Sequence, residues 1–195
     1  MRSIDAIAAF WLFAAALPLG VDGQAVAEKA PIDRFHRVDA HLYRGAQPDA
    51  AGFKHLRDIG VRTVINLRSE VDASRSDERR LVESLGMRYV HLPVKDGNFF
   101  TRSRRIPEET IREFFAIIDA AGADPVFVHC RRGADRTGAL VGFYRIARHG
   151  WNAARAYTEA RHIGMRSWYT GLKRQIEEFA ENGDSHRFSQ VREKP

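Results

Sequence analysis

A single cysteine serves this chain of 195 residues, and it stands where a cysteine could react. His129-Cys130 closes the apolar, β-branched run Val126-Phe127-Val128, which reads as a short buried strand. Arg131, Arg132, Gly133, Ala134 and Asp135 then read as a loop, followed by Arg136, Thr137 and Gly138. The apolar run Ala139–Tyr144 reads as a helix entering the core. Successive backbone N–H groups in a loop between strand and helix can converge into an anion-binding nest. The helix adds its positive end and its unpaired N–H groups. A thiol facing such a cavity ionises more readily than a free one. Arg136 can grip phosphate oxygens with two N–H groups at once. A nucleophile and a phosphate-sized anion site therefore share one loop.

The pattern His129-Cys130-x-x-Gly133-x-x-Arg136-Thr137-Gly138 resembles the signature loop of the cysteine-dependent protein tyrosine and dual-specificity phosphatases. That resemblance implies that Cys130 attacks phosphorus and Arg136 binds the phosphoryl group, with Gly133 and Ala134 in the cradle. It implies that Thr137 stabilises the thiolate leaving the phosphoenzyme and that His129 tunes Cys130 through hydrogen bonds in its strand. His129 read alone is equally a satisfied core histidine. Upstream, Tyr43-Arg44-Gly45-Ala46-Gln47-Pro48 is similar to the Tyr-Arg-Ser-x-Gln-Pro opening of a compact bacterial and plant–fungal subgroup, with Gly45 in place of Ser. This places Arg44 near the phosphate loop.

A leaving alkoxide needs a proton, and the related enzymes supply it from a carboxylic acid on a loop. Asp96 is the candidate: it follows the strand read at 87–94, at the end where ligands gather in α/β sheets. It precedes Cys130 by 34 positions (130 − 96), similar to the family's spacing. Glu70, Asp72 and Asp135 are the reserves, and Asp96 read alone could simply shape a turn. Arg131 and Arg132 add positive charge beside the pocket, and the Asp135-Arg136 pair resembles phosphatases of phosphoinositides. Two readings of these residues stand side by side. Either the arginines recognise a polyanion such as an inositol polyphosphate, or they face solvent while Asp135 pairs with one of them.

The elements that must position this loop alternate along the chain. Residues 32–42 read as one or two edge strands, 49–59 as a helix ended by Gly60, 61–67 as a strand and 77–85 as a helix. The strand at 87–94 follows, then an irregular basic loop at 99–106 and a helix at 107–121 opened by Pro107. Beyond the signature loop come helices at 138–149, 152–162 and 168–181. Strand–helix alternation predicts an α/β fold, with a central, mostly parallel sheet of four to five strands flanked by helices. The site belongs at the strands' C-terminal edge.

The N-terminus reads as an address. Met1-Arg2, the apolar stretch Ala6–Leu19 and the small-x-small pattern Ala25-Val26-Ala27 form a secretory signal over residues 1–27. Cleavage after Ala27 gives an exported protein, periplasmic or secreted. Retention of the segment gives a membrane anchor. A catalytic domain over 28–182 and a polar tail over 183–195 complete the division.

One cysteine excludes a disulfide framework and any cysteine-rich metal cluster. The histidines show no metal-binding spacing, so neither metal nor other cofactor is expected. A net charge of +6 and a pI near 9.8 favour anionic partners. With no basic stripe interleaved by aromatics, the partner expected is a phosphorylated protein or a phosphoinositide, not nucleic acid. Contact with a membrane surface and a monomeric state complete the expectation. The leading function is a phosphomonoesterase forming a phosphocysteine. The alternatives are a rhodanese-like sulfurtransferase and a non-catalytic module that binds phosphorylated ligands.

Overall fold

The computed structural model describes residues 31–69, 75–94, 103–182 and 188. Glu70, Asp72, Asp96 and the expected signal segment lie outside the described residues.

Five strands form one sheet: β1 (His36–Arg37), β2 (Leu42–Ala46), β3 (Thr63–Asn66), β4 (Arg88–His91) and β5 (Val126–Cys130). Their spatial order is β1-β2-β5-β3-β4. Only the β1–β2 pair is antiparallel; β2–β5, β5–β3 and β3–β4 run parallel. The helices are α1 (Ala50–Asp58), α2 (Arg75–Ser84), α3 (Glu108–Ala121), α4 (Asp135–His149), α5 (Ala153–His162) and α6 (Thr170–Glu181).

Side-chain alternation along the strands divides the core in two. On one face Leu42, Ile65, Val126, Val128 and Cys130 join the cluster that contains α3, α4 and α6. Tyr43, Val64 and Phe127 face the other way, against Phe53 and Leu56 of α1 and Val82 of α2. Ile111, Phe114, Phe115 and Ile118, at helical spacing on α3, are all buried. A side chain such as Phe114, with none of its surface exposed, contributes about 1.5–3 kcal/mol by leaving water. The central strand β5 is buried at every position, which is why its sequence lacks polar alternation.

Three local outcomes differ from the sequence expectation. In the stretch 32–42 only His36 and Arg37 form a strand before Leu42. The second strand then runs beyond the 32–42 stretch, through Tyr43-Arg44-Gly45 to Ala46. The turn is Gln47-Pro48-Asp49, and the Asp49 carboxylate caps α1 by accepting from Gly52 N at 2.8 Å. Third, α4 begins at Asp135 rather than Gly138. The Gly138 N–H donates to Ala134 O at 2.9 Å, so the end of the signature loop is already wound into the helix.

Candidate active site

Cys130 is the last residue of β5, at the parallel strands' C-terminal edge, and is 3% exposed. The sheet's order changes direction here, since β5 has β2 on one side and β3 on the other. That is where crevices open in α/β sheets. Residues 131–134 cross this edge and α4 starts at Asp135. Ala134, the residue before α4, makes no side-chain capping bond, so it leaves the first N–H groups of α4 open to a ligand.

The loop is held from outside by its carbonyls. The N–H of Gln47 donates to Arg131 O at 3.4 Å and Arg34 Nη1 donates to Arg132 O at 3.4 Å. Arg44 Nη2 donates to Gly133 O at 2.8 Å. All the peptides among the described residues are trans. Across a trans peptide the carbonyl and the next N–H point in opposite directions. Three carbonyls drawn toward the 34–47 segment therefore turn the N–H groups of Arg132, Gly133 and Ala134 the other way, away from that segment. That is the orientation which the nest expected from the sequence requires, and the segment around Arg44 holds it.

Gly133 allows the close approach. Its φ is +65°, and a Cβ there would lie 2.2 Å from Gly45 C and 2.4 Å from Ala46 N. Gly45, where relatives of the subgroup carry Ser, is itself crowded: a Cβ would meet Ile32 Cγ2 at 2.9 Å and Phe127 Cζ at 3.0 Å.

The other expected site residues gather around the loop. Arg136 in the first turn of α4 donates from Nη1 to Leu67 O at 2.9 Å, which anchors its guanidinium just beyond β3. The Thr137 hydroxyl is buried and has no hydrogen-bond partner among the described residues, the Cys130 sulfur included. Asp135 is 8% exposed and accepts from Arg166 N at 2.9 Å. Its other oxygen lies 3.6 Å from Arg132 Nη1, an ion pair too long for a hydrogen bond. Asp135 thus fixes the loop and ties Arg132, while Arg131 is exposed. Asp96 lies outside the described residues.

His129 is fully buried on the sheet face opposite Cys130, with its ring against Phe53 and Phe127. Its Nε2 lies 2.9 Å from Glu78 Oε1, so its ring engages a carboxylate of α2 and not the sulfur. Glu78 Oε2 accepts from Gln47 Nε2 at 2.8 Å and Asn66 Nδ2 at 2.9 Å. Asn66 Oδ1 accepts from Arg68 N, and Arg68 Nη1 donates to Gln47 Oε1, both at 2.8 Å. This buried polar network ties β5, β3, α2 and the residue that clasps Arg131 O. Glu78 and Asn66 were not singled out from the sequence. In Asp-Glu-Arg-Arg on a short helix, Glu78 reads as a solvent-facing charge.

Arg44 is 1% exposed. Its strand register pairs it with Val128, two residues before the Ala46–Cys130 pair, so its side chain points to the Cys130 face. Burial pushes its guanidinium down to about 10; the charges of Glu159 and Cys130 pull upward and that of Arg145 downward. No group of three or more acidic, cysteine or histidine side chains suited to a metal occurs among the described residues.

A strand-ending cysteine, an amide-lined loop and a helix carrying Arg136 and Thr137 define a tyrosine-phosphatase-like α/β protein. The chain belongs to the family described as "DSP-PTPase phosphatase fused to NAD+ Kinase", which matches residues 24–180. It is 28% identical over 136 residues to the dual specificity protein phosphatase TpbA of Pseudomonas aeruginosa, across 69% of this chain and 56% of that protein. It is 28% identical over 139 residues to the inositol diphosphatase DSP2 of Oryza sativa subsp. japonica, across 71% of this chain and 66% of the relative. The match therefore spans less than two thirds of either relative's length. The same fold occurs in the core catalytic domain of the PP-IP phosphatase SIW14 from S. cerevisiae, solved with citrate. There the TM-score is 0.63 at 20% identity, over 81% of this chain and 95% of that one.

Proposed function

We propose that this chain is a cysteine-dependent phosphomonoesterase that works through a phosphocysteine. One observation carries the reading. The carbonyls of Arg131, Arg132 and Gly133 are held outward, so the loop's amides converge beside the sulfur that ends β5. The Cys130 sulfur attacks phosphorus and the bond from phosphorus to the leaving oxygen breaks. Asp96 gives that oxygen its proton. The Asp96 carboxylate then takes a proton from the water that attacks the phosphocysteine; the sulfur–phosphorus bond breaks, releasing inorganic phosphate and restoring the thiolate, which Thr137 stabilises. The inward amides and Arg136 stabilise the charge on the equatorial oxygens, so the chemistry needs neither metal nor other cofactor.

The substrate is a phosphorylated side chain or an inositol phosphate, the two classes named among the relatives. Exposed Arg131 would meet the rest of such an anion. Export through residues 1–27 belongs to the same proposal and rests on the sequence pattern alone.

The test uses protein lacking residues 1–27. Phosphate release is measured from a phosphotyrosine peptide, phosphoinositides and inositol hexakisphosphate. Cys130→Ser should abolish release from every substrate, and activity retained by that variant would exclude the mechanism. Asp96→Asn should slow hydrolysis most where the leaving group is poor, and equal rates on poor and good leaving groups would remove Asp96 as the acid.

A further inference from the structure

Among the described residues, Arg44 carries a charge that its surroundings leave unbalanced. Its Nε and Nη1 are buried without a hydrogen-bond partner, and only Nη2 is used, on Gly133 O. Among the described residues no carboxylate lies within ion-pair distance of it. The charged and titratable groups around it come from four elements. Glu159 of α5 is occupied by Arg145 of α4, at 2.6 Å. His36 of β1 feels Arg44 electrostatically, and Cys130 of β5 completes the set. Because Arg145 and Glu159 neutralise each other, Cys130 remains, among the described residues, the group that can answer the charge.

Two features make the placement costly unless an anion sits nearby. A buried guanidinium with unused donors is strongly unfavourable without a counter-charge. Arg44 also lies under the first turn of α4: a Cβ on Gly138 would be 3.6 Å from Arg44 Nη2. A cation at the positive end of a helix adds like-charge repulsion. Both penalties are relieved when the Cys130 sulfur, or a phosphoryl group on it, is negative.

We infer that Arg44 is a positioning residue of the phosphate loop, holding Gly133 O with one N–H while its buried charge stabilises the anionic sulfur of Cys130 from beneath. It acts through the loop and the sulfur and does not touch substrate, which meets Arg136 and the loop amides instead. The inference rests on Cys130 being the nucleophile.

The test separates charge from hydrogen bonding. Arg44→Lys keeps a cation; Arg44→Gln keeps a donor for Gly133 O without the charge. Alkylation of Cys130 by iodoacetamide is followed against pH, beside hydrolysis of p-nitrophenyl phosphate. Arg44→Gln should move half-maximal alkylation to higher pH by about one unit or more, the size expected for losing a nearby opposite charge. Arg44→Lys should stay close to wild type. Arg44→Gln titrating with wild type, or both variants moving equally, would overturn the inference. An arm free of folding concerns uses wild type alone, titrated at low and at molar salt. A buried cation is little screened, so the profile should hold, and a marked rise with salt would show exposed charges doing the work. Failure of the phosphatase reading would look different, as a wild-type chain that is alkylated but releases no phosphate.

Discussion

Adding one methyl group to the loop should disable it. Gly133 sits at φ +65°, and its ideal Cβ would lie 2.2 Å from Gly45 C and 2.3 Å from Gly45 O. Ordinary contact begins at 3.4 Å, so in Gly133→Ala the loop or the strand must give way by 1.2 Å (3.4 − 2.2). Both atoms belong to the backbone of a strand hydrogen-bonded on each side, so the loop is what moves. The left-handed conformation adds about 1–2 kcal/mol for a residue with a Cβ. Loss of the Arg44–Gly133 bond adds about 1 kcal/mol. A domain stable by about 5–15 kcal/mol survives that total. Catalysis should not, since misplacing catalytic groups by ~1 Å can lower a rate roughly a hundredfold. The measurement pairs kcat/KM on p-nitrophenyl phosphate with a urea unfolding midpoint. Gly60→Ala is the control. It has φ +92° with nothing within 4 Å, so it should lose a similar increment of stability at unchanged kcat/KM. A folded Gly133→Ala protein with wild-type kcat/KM would refute the claim that the loop's close packing on β2 sets its geometry.

Two further outcomes follow from buried polar groups. Glu78→Ala removes the partner of His129 Nε2 and one partner each of Gln47 Nε2 and Asn66 Nδ2, and should cost about 3–5 kcal/mol in urea unfolding, with Glu78→Gln milder; a cost near zero would show that the network is not structural. For Asp39, burial pushes the carboxyl up, but hydrogen bonds from Tyr144, His41, His149 and Leu42 outweigh it and hold it below the ordinary 3.8. The unfolded chain therefore takes up this proton first as pH falls, so the contribution is complete above about pH 4 and disappears as pH drops through the lower folded value. Thermal melts across that range should show a shallower acid loss in Asp39→Asn than in wild type, and identical slopes would exclude the contribution.

The strand–loop–helix around Cys130 was legible because each part has its own local cause. Val126, Phe127 and Val128 mark a buried strand, Gly133 a tight loop and Ala139–Tyr144 a buried helix, all within 19 positions (144 − 126 + 1). The start of α4 was read three residues late because Ala134 and Asp135 look like loop; what makes them helical is the bond from Gly138 N to Ala134 O. Long-range partnerships were hidden. The partner of Arg44 is 89 residues away, and that of His129 is 51. A charged residue in a strand or short helix reads as solvent-facing until the packing above it is known. The similarity around Tyr43–Pro48 did bring Arg44 to the loop, but not its burial. Arg131 and Arg132 were read alike, yet the fold separates them: Asp135 ties one and the other is exposed.

The central claim is that the sulfur of Cys130 carries the phosphoryl group during turnover. Rapid acid quenching during hydrolysis of a phosphorus-labelled monoester, followed by peptide mass analysis, tests it directly. The label should be on the peptide containing Cys130 and absent from Cys130→Ser. Turnover with label on another residue, or on none at any quench time, would contradict the account.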